Sequence, residues 1–150
     1  MPPIRPAKSV DDKAAKKAKP VDLGRVLLVE DDAILGWALQ EALMDGGARE
    51  VVICTTMKAT MQELESDKRF DAMILDVHLA DRDDGWALAE LVSMLGPRRP
   101  RIAFSTGSPE AIPPEVAEMG PVFEKPYDAD HLVKELSANR KRGLIARLLS

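Results

Sequence analysis

Five short apolar runs recur along the chain. They are RVLLVE (25–30), EVVICT (50–55), DAMILD (71–76), RIAFST (101–106) and PVFE (121–124). Each is four to six residues long and nearly all apolar, the pattern of a strand buried on both faces. Between them, apolar residues repeat at helical spacing. Leu35, Ala38, Leu39, Ala42 and Leu43 form one stripe, stopped by Gly46-Gly47; Met57, Met61 and Leu64 form a second. Leu88, Leu91, Val92 and Leu95 form a third, closed by Gly96-Pro97. After Pro126, Ala129, Leu132, Val133 and Leu136 form the last, with Asp128 placed to cap it. The segment 107–120 holds three prolines and two glycines, so it predicts only a short or irregular fourth helix. Strands alternating with helices predict an α/β fold, a doubly wound five-stranded parallel sheet covered on both faces.

Composition narrows the setting. The chain has 150 residues, 45% hydrophobic and 4% aromatic, so the core is expected to be Leu, Ile, Val, Ala and Met. Residues 1–22 are rich in Pro, Lys and Ala without hydrophobic periodicity and are expected to be a disordered basic tail. The folded domain is expected over 23–138, followed by a basic and apolar extension, 139–150. No apolar run approaches the roughly 20 residues of a membrane span. The N-terminus lacks a secretory pattern, and the single cysteine, Cys54, reads as a small core residue in a strand; a cytoplasmic setting is expected. The net charge is −4, yet 139–150 carries four bases and no acid, so the acids concentrate in the middle. An acidic body argues against direct DNA binding.

Polar residues fall at particular places in this plan. Glu30, Asp31 and Asp32 follow the first strand; Asp76 ends the third, Thr106 the fourth, and Lys125 follows the fifth. The carboxyl edge of an open parallel sheet is where ligands bind. If the strand order is 2-1-3-4-5, Glu30, Asp31 and Asp76 converge, and their mutual repulsion calls for a cation. Magnesium suits a few carboxylates with waters and phosphate oxygens. With one Cys and two His, a zinc cluster is not expected. Lys125 and Thr106 add a compact positive charge and a hydroxyl donor. The set fits phosphoryl transfer, with Asp76 itself as the nucleophile.

The motifs LLVEDD, MILDVHL, FSTG and EKPY, each at its strand end, resemble those of the response-regulator receiver domain of two-component signalling, over residues 25–138 or so. The resemblance implies a flavodoxin-like sheet of order 2-1-3-4-5. It implies that Asp76 is the phosphoacceptor, that Asp31 ligates Mg2+ directly and Glu30 through water, and that the main-chain carbonyl of His78 is a further ligand, its imidazole facing the site mouth. Thr106 and Lys125 take the phosphoryl-contacting places, and the Lys125–Pro126 bond is cis. The chain is then not an enzyme on a separate substrate. It is a phosphoprotein with magnesium-dependent self-phosphorylation and autodephosphorylation, its partner a histidine kinase or histidine phosphotransfer protein.

The sequence departs from the family pattern at four places. Ala80 stands where a proline is usual, and the loop 81–84 is about one residue longer. The fourth helical segment is short. Val122 stands at the usual switch aromatic, with Phe123 facing the other way. FSTG resembles a stand-alone alphaproteobacterial subgroup with a Phe-Ala-Thr-Gly-Tyr signature, with Ser108 replacing its Tyr.

Three functions compete. The first is a single-domain response regulator that signals by protein contact or drains phosphoryl groups from another protein. The second is a docking module of the same fold that works without phosphorylation. The third is a hydrolase with an aspartyl-phosphate intermediate; it lacks the DxD pattern at the acceptor strand. Trp37 lies opposite the buried stripe of the first helix and is expected to be an exposed anchor, with Gly36 beside it allowing a partner helix to approach.

Overall fold

The computed structural model describes residues 22–78, 85–96 and 99–138, the side chains of 85–88 excepted. The expected basic tail as far as residue 21, the loop 81–84 with Ala80, the Leu88 side chain and the extension 139–150 lie outside what is described. Five parallel strands, β1 (Gly24–Val29), β2 (Ala48–Cys54), β3 (Ala72–Asp76), β4 (Arg101–Thr106) and β5 (Val122–Glu124), form one sheet in the order β2-β1-β3-β4-β5. That order, and the doubly wound class, are as the sequence predicts. Helices α1 (Ala33–Asp45), α2 (Met57–Glu65), α3 (Gly85–Ser93) and α4 (Pro114–Ala117) follow the first four strands, and α5 covers 129–138.

The strands bury both faces. On one face Val26, Leu28, Ala72, Ile74, Ala103 and Phe123 pack with Leu39, Ala42 and Leu43 of α1 and Leu132, Val133 and Leu136 of α5. On the other, Leu27, Val29, Met73, Leu75, Ile102 and Phe104 pack with Ala89 and Val92 of α3 and Val116 of α4, while Met57, Met61 and Leu64 of α2 cover the edge. Leu27, Leu28, Leu39, Leu43 and Leu132 are wholly buried, each contributing about 1.5–3 kcal/mol of transfer free energy.

Helix limits follow local chemistry. The Asp32 carboxylate accepts from the N–H groups of Ile34 at 2.9 Å and Leu35 at 3.2 Å, capping α1. Asp128 takes the same place before α5, its Oδ1 accepting from Asp130 N at 3.0 Å. The prolines of 107–120 leave a three-residue 3-10 turn at Pro109–Ala111 and a four-residue α4, as expected. Two stripes differ from expectation. In α3, Ala89 and Val92 face the core, while Leu91 is exposed because it lies about 200° around the helix from Ala89; Leu95 falls beyond the helix and is also exposed. In α1, Gly36 is buried and Ala38 only half-buried.

Candidate functional site

The apolar stripes that line the α1/α5 face change character at the carboxyl edge. Val26 and Leu28 lead to Glu30, Ala72 and Ile74 to Asp76, Ala103 to Ser105, and Phe123 to Lys125. A strand repeats every two residues, so these four polar side chains leave on the same face as the core beneath them. Registry completes the convergence: Val29 pairs with Leu75 across β1 and β3, and Asp76 pairs with Ser105 across β3 and β4. Carboxylate oxygens of Glu30, Asp31 and Asp76 all lie within 4.8 Å of one another.

Glu30 and Asp76 are buried and Asp31 is exposed, so the cluster opens to solvent along one side. Asp76 Oδ1 accepts from the main-chain N–H of His78 at 3.0 Å, and its Oδ2 lies 3.3 Å from Lys125 Nζ. Glu30 Oε2 accepts from Asp32 N at 3.1 Å and from Lys125 Nζ at 3.2 Å. Glu30 Oε1 lies 3.1 Å from the same ammonium, yet it is buried without a hydrogen bond. One lysine therefore faces two buried carboxylates with a third beside them. Burial pushes the Glu30 carboxyl up to about 7; the Asp76 charge adds to this, and the Asp32 N–H and Lys125 oppose it. Burial lowers the Lys125 ammonium, but Asp76 and Glu30 outweigh that and raise it on balance.

A buried carboxylate oxygen with only an ion-pair contact, a carboxyl pushed toward neutrality and an open side with hard oxygen donors are what a divalent cation would relieve. The donor set is all oxygen, which suits Mg2+ over zinc. The residues present therefore fit the ion. His78 contributes its main-chain N–H to Asp76.

Thr106 is fully buried at the end of β4. Its Oγ1 accepts from Ser108 N at 2.9 Å, which leaves the hydroxyl proton to be donated elsewhere. Its carbonyl accepts from Lys125 N at 2.8 Å, tying the lysine to the fourth strand. The Lys125–Pro126 peptide is cis, as the resemblance implies. Every site residue expected from the sequence thus lies at this edge. Gly36 does not serve as expected: a Cβ there would meet Glu30 Cγ at 4.0 Å, so it faces the acidic site and not a partner surface.

Sequence reasoning assigned no role to Ser105 or Tyr127. Ser105 Oγ and Tyr127 OH are 2.7 Å apart, and Ser105, the register partner of Asp76 across β3 and β4, is fully buried. Burial raises the Tyr127 phenol and the Ser105 hydrogen bond partly offsets this, so the group stays neutral. Its ring packs on Phe123 at 5.9 Å. Both residues stand inside the motifs FSTG and EKPY, but only strand register shows that they meet. Val122 packs against the α3 face, while Phe123 packs on the α1/α5 face, as its neighbouring position implies. Tyr127→Phe leaves a buried hydroxyl unpaired and should lower stability by about 1–2 kcal/mol. Adding Ser105→Ala should recover part of that loss in urea denaturation; fully additive losses would show the two groups to be uncoupled.

The profile of the response regulator receiver domain matches residues 26–137. No curated protein matches the sequence. Among solved structures, a CheY-like response regulator receiver domain protein from Methanospirillum hungatei superposes with a TM-score of 0.66 at 23% identity, over 81% of this chain and 96% of that one. The response regulator DrrB of Thermotoga maritima, an OmpR/PhoB homologue, gives 0.65 at 19% identity over 81% of this chain; the match spans 54%, about half, of DrrB. A response regulator from Burkholderia pseudomallei, solved with a phosphorylated aspartic acid, a calcium ion and citrate, gives 0.61 at 20% identity over 84% of this chain and 74% of that one. At these identities the structures speak for the fold, and the profile, which spans most of the chain, speaks for descent: the chain belongs to the response regulator receiver domain family.

Proposed function

We propose that the chain is a single-domain response regulator that takes a phosphoryl group onto Asp76 from a phosphohistidine on a kinase or a histidine phosphotransfer protein. The observation that carries this reading is the buried Asp76 carboxylate, 3.3 Å from Lys125 and grouped with Glu30 and Asp31. A carboxylate oxygen of Asp76 attacks phosphorus. The P–N bond to the donor imidazole breaks, its electron pair returns to nitrogen, and an acyl phosphate forms. Lys125 faces the charge on the incoming phosphoryl oxygens, and the Thr106 hydroxyl donates to one of them. Glu30, Asp31, Asp76 and the main-chain carbonyl of His78 would hold Mg2+, with Glu30 acting through water. When bound, the ion neutralises charge shared between the carboxylates and the phosphoryl group.

Two further observations bear on the partner. Trp37 is 63% exposed, on the helix whose cap borders the acidic site. A large exposed aromatic is a common interface anchor, and we assign the outer side of α1 to donor docking. Among the described residues no helix is long and apolar enough to cross a membrane; in this reading the regulator is cytoplasmic and acts by protein contact or as a phosphate sink.

The test supplies a radiolabelled histidine phosphotransfer domain, with and without Mg2+. Label should pass to the chain only with the metal, in a bond labile to hydroxylamine. Uptake in neither condition, from any histidine donor or small phosphodonor, would overturn the reading in favour of a phosphorylation-independent docking module.

A further inference from the structure

The outer face of α1 is apolar and acidic. Ile34 is 82% exposed, Trp37 63% and Met44 46%, and Glu41 and Asp45 are exposed among them. Spaced at three, four, three and one residues, these five fall within about a third of the helix circumference. They make a continuous strip from Ile34 to Asp45, nearly the whole of α1. Such a strip needs a cover that is apolar and basic.

The chain carries a segment of that description, residues 139–150, NRKRGLIARLLS. Leu144, Ile145, Leu148 and Leu149 recur at the spacing of one helical face, and Arg140, Lys141, Arg142 and Arg147 supply four positive charges with no acid. Its starting point is fixed by α5. Val133 lies against Gly46, where an added Cβ would meet its Cγ1 at 2.4 Å, and the Leu136 carbonyl accepts from Arg101 Nη1 at 2.9 Å, at the first residue of β4. Helix α5 therefore finishes at the amino edge of the sheet, beside the end of α1 that carries Met44 and Asp45. To cover the strip, the segment has to climb α1, a distance of about 20 Å. Residues 139–142 extended reach about 13 Å, and 143–150 as a helix add about 12 Å. The basic run 140–142 then passes Asp45 and Glu41, and the leucines reach Trp37 and Ile34.

We infer that residues 140–150 dock on the Ile34–Trp37–Met44 face of α1 in the same molecule. The inference goes beyond the phosphotransfer reading, since it concerns what covers this face when no donor is bound and stands whether or not Asp76 is phosphorylated. A donor helix using the same face has to displace the segment.

The test uses the full chain labelled with 5-fluorotryptophan. It carries two tryptophans, and the Trp37 resonance is identified by its loss in Trp37→Phe. Broadening by a soluble nitroxide reports exposure. In the double variant Leu144→Asp/Leu148→Asp, and in the charge variant Arg140→Glu/Lys141→Glu/Arg142→Glu, broadening of Trp37 should rise by about two-fold or more. Both variants should remain folded, with the melting temperature lowered by no more than a few degrees as the docked segment is lost. Equal broadening of Trp37 in the parent and both variants overturns the inference. So does protection that grows with protein concentration alongside dimerisation, which would assign the face to a second copy.

Discussion

Asp76→Asn should reduce phosphoryl uptake to background, from a histidine donor and from a small phosphodonor alike. An amide oxygen at this position can still accept the His78 N–H that Asp76 Oδ1 accepts at 3.0 Å. It lacks the charge that makes the carboxylate a nucleophile, and its nitrogen lone pair is delocalised into the amide. The fold should survive. Loss of the 3.3 Å contact with Lys125 is offset by relief of repulsion against Glu30, whose own carboxyl the Asp76 charge helps to raise. The measurement is therefore paired: label incorporation with Mg2+ present, and a thermal melt of the same preparation. Undiminished hydroxylamine-labile label in a folded Asp76→Asn protein would move the acceptor elsewhere, with Asp31 as the carboxylate to examine next.

The route to Asp76 was short in sequence because both halves of the signal are local. An apolar run gives the strand, and a charge at its end marks the sheet edge. The same holds for Glu30 and Lys125, and for the poor fourth helix, where Pro109, Pro113 and Pro114 remove donors and restrict the backbone. What stayed illegible depends on partners distant in sequence. Ser105 and Tyr127 are 22 residues apart, and their meeting depends on how β5 registers against β4 and on the path of the chain after it. Leu91 and Leu95 look like core by residue type, yet a helix only nine residues long offers the sheet a narrow face, taken by Ala89 and Val92. Gly36 reads as a gap on the surface until the position of Glu30 is known. In each case the missing information is which face of an element the neighbouring element occupies.

Gly120→Ala should be the most destabilising single-methyl change at a described glycine that leads into the site. A Cβ at this position would lie 1.7 Å from the Ile102 carbonyl oxygen and 2.8 Å from its carbon, and both obstacles are backbone of β4. No side chain can swing aside, so β5 must separate from β4 or the turn before it must deform. The neighbouring ladder bond, Phe104 N to Pro121 O at 2.8 Å, resists that separation. Overpacking of this kind costs about 3 kcal/mol, which for a domain of this size lowers the melting temperature by on the order of 10 °C. The damage should also reach the chemistry. Lys125 follows β5 directly, held to β4 by its bond to the Thr106 carbonyl, and a shifted β5 carries its ammonium away from Asp76. Gly36→Ala supplies the contrast. Its Cβ has ordinary clearance, and replacing a helical glycine gains up to about 1 kcal/mol. The two substitutions add the same atom and should move the urea midpoint in opposite directions. A Gly120→Ala protein that melts within about 2 °C of the parent would mean that the strand pair is not packed this closely, and that Lys125 is placed by something other than the β4–β5 contact.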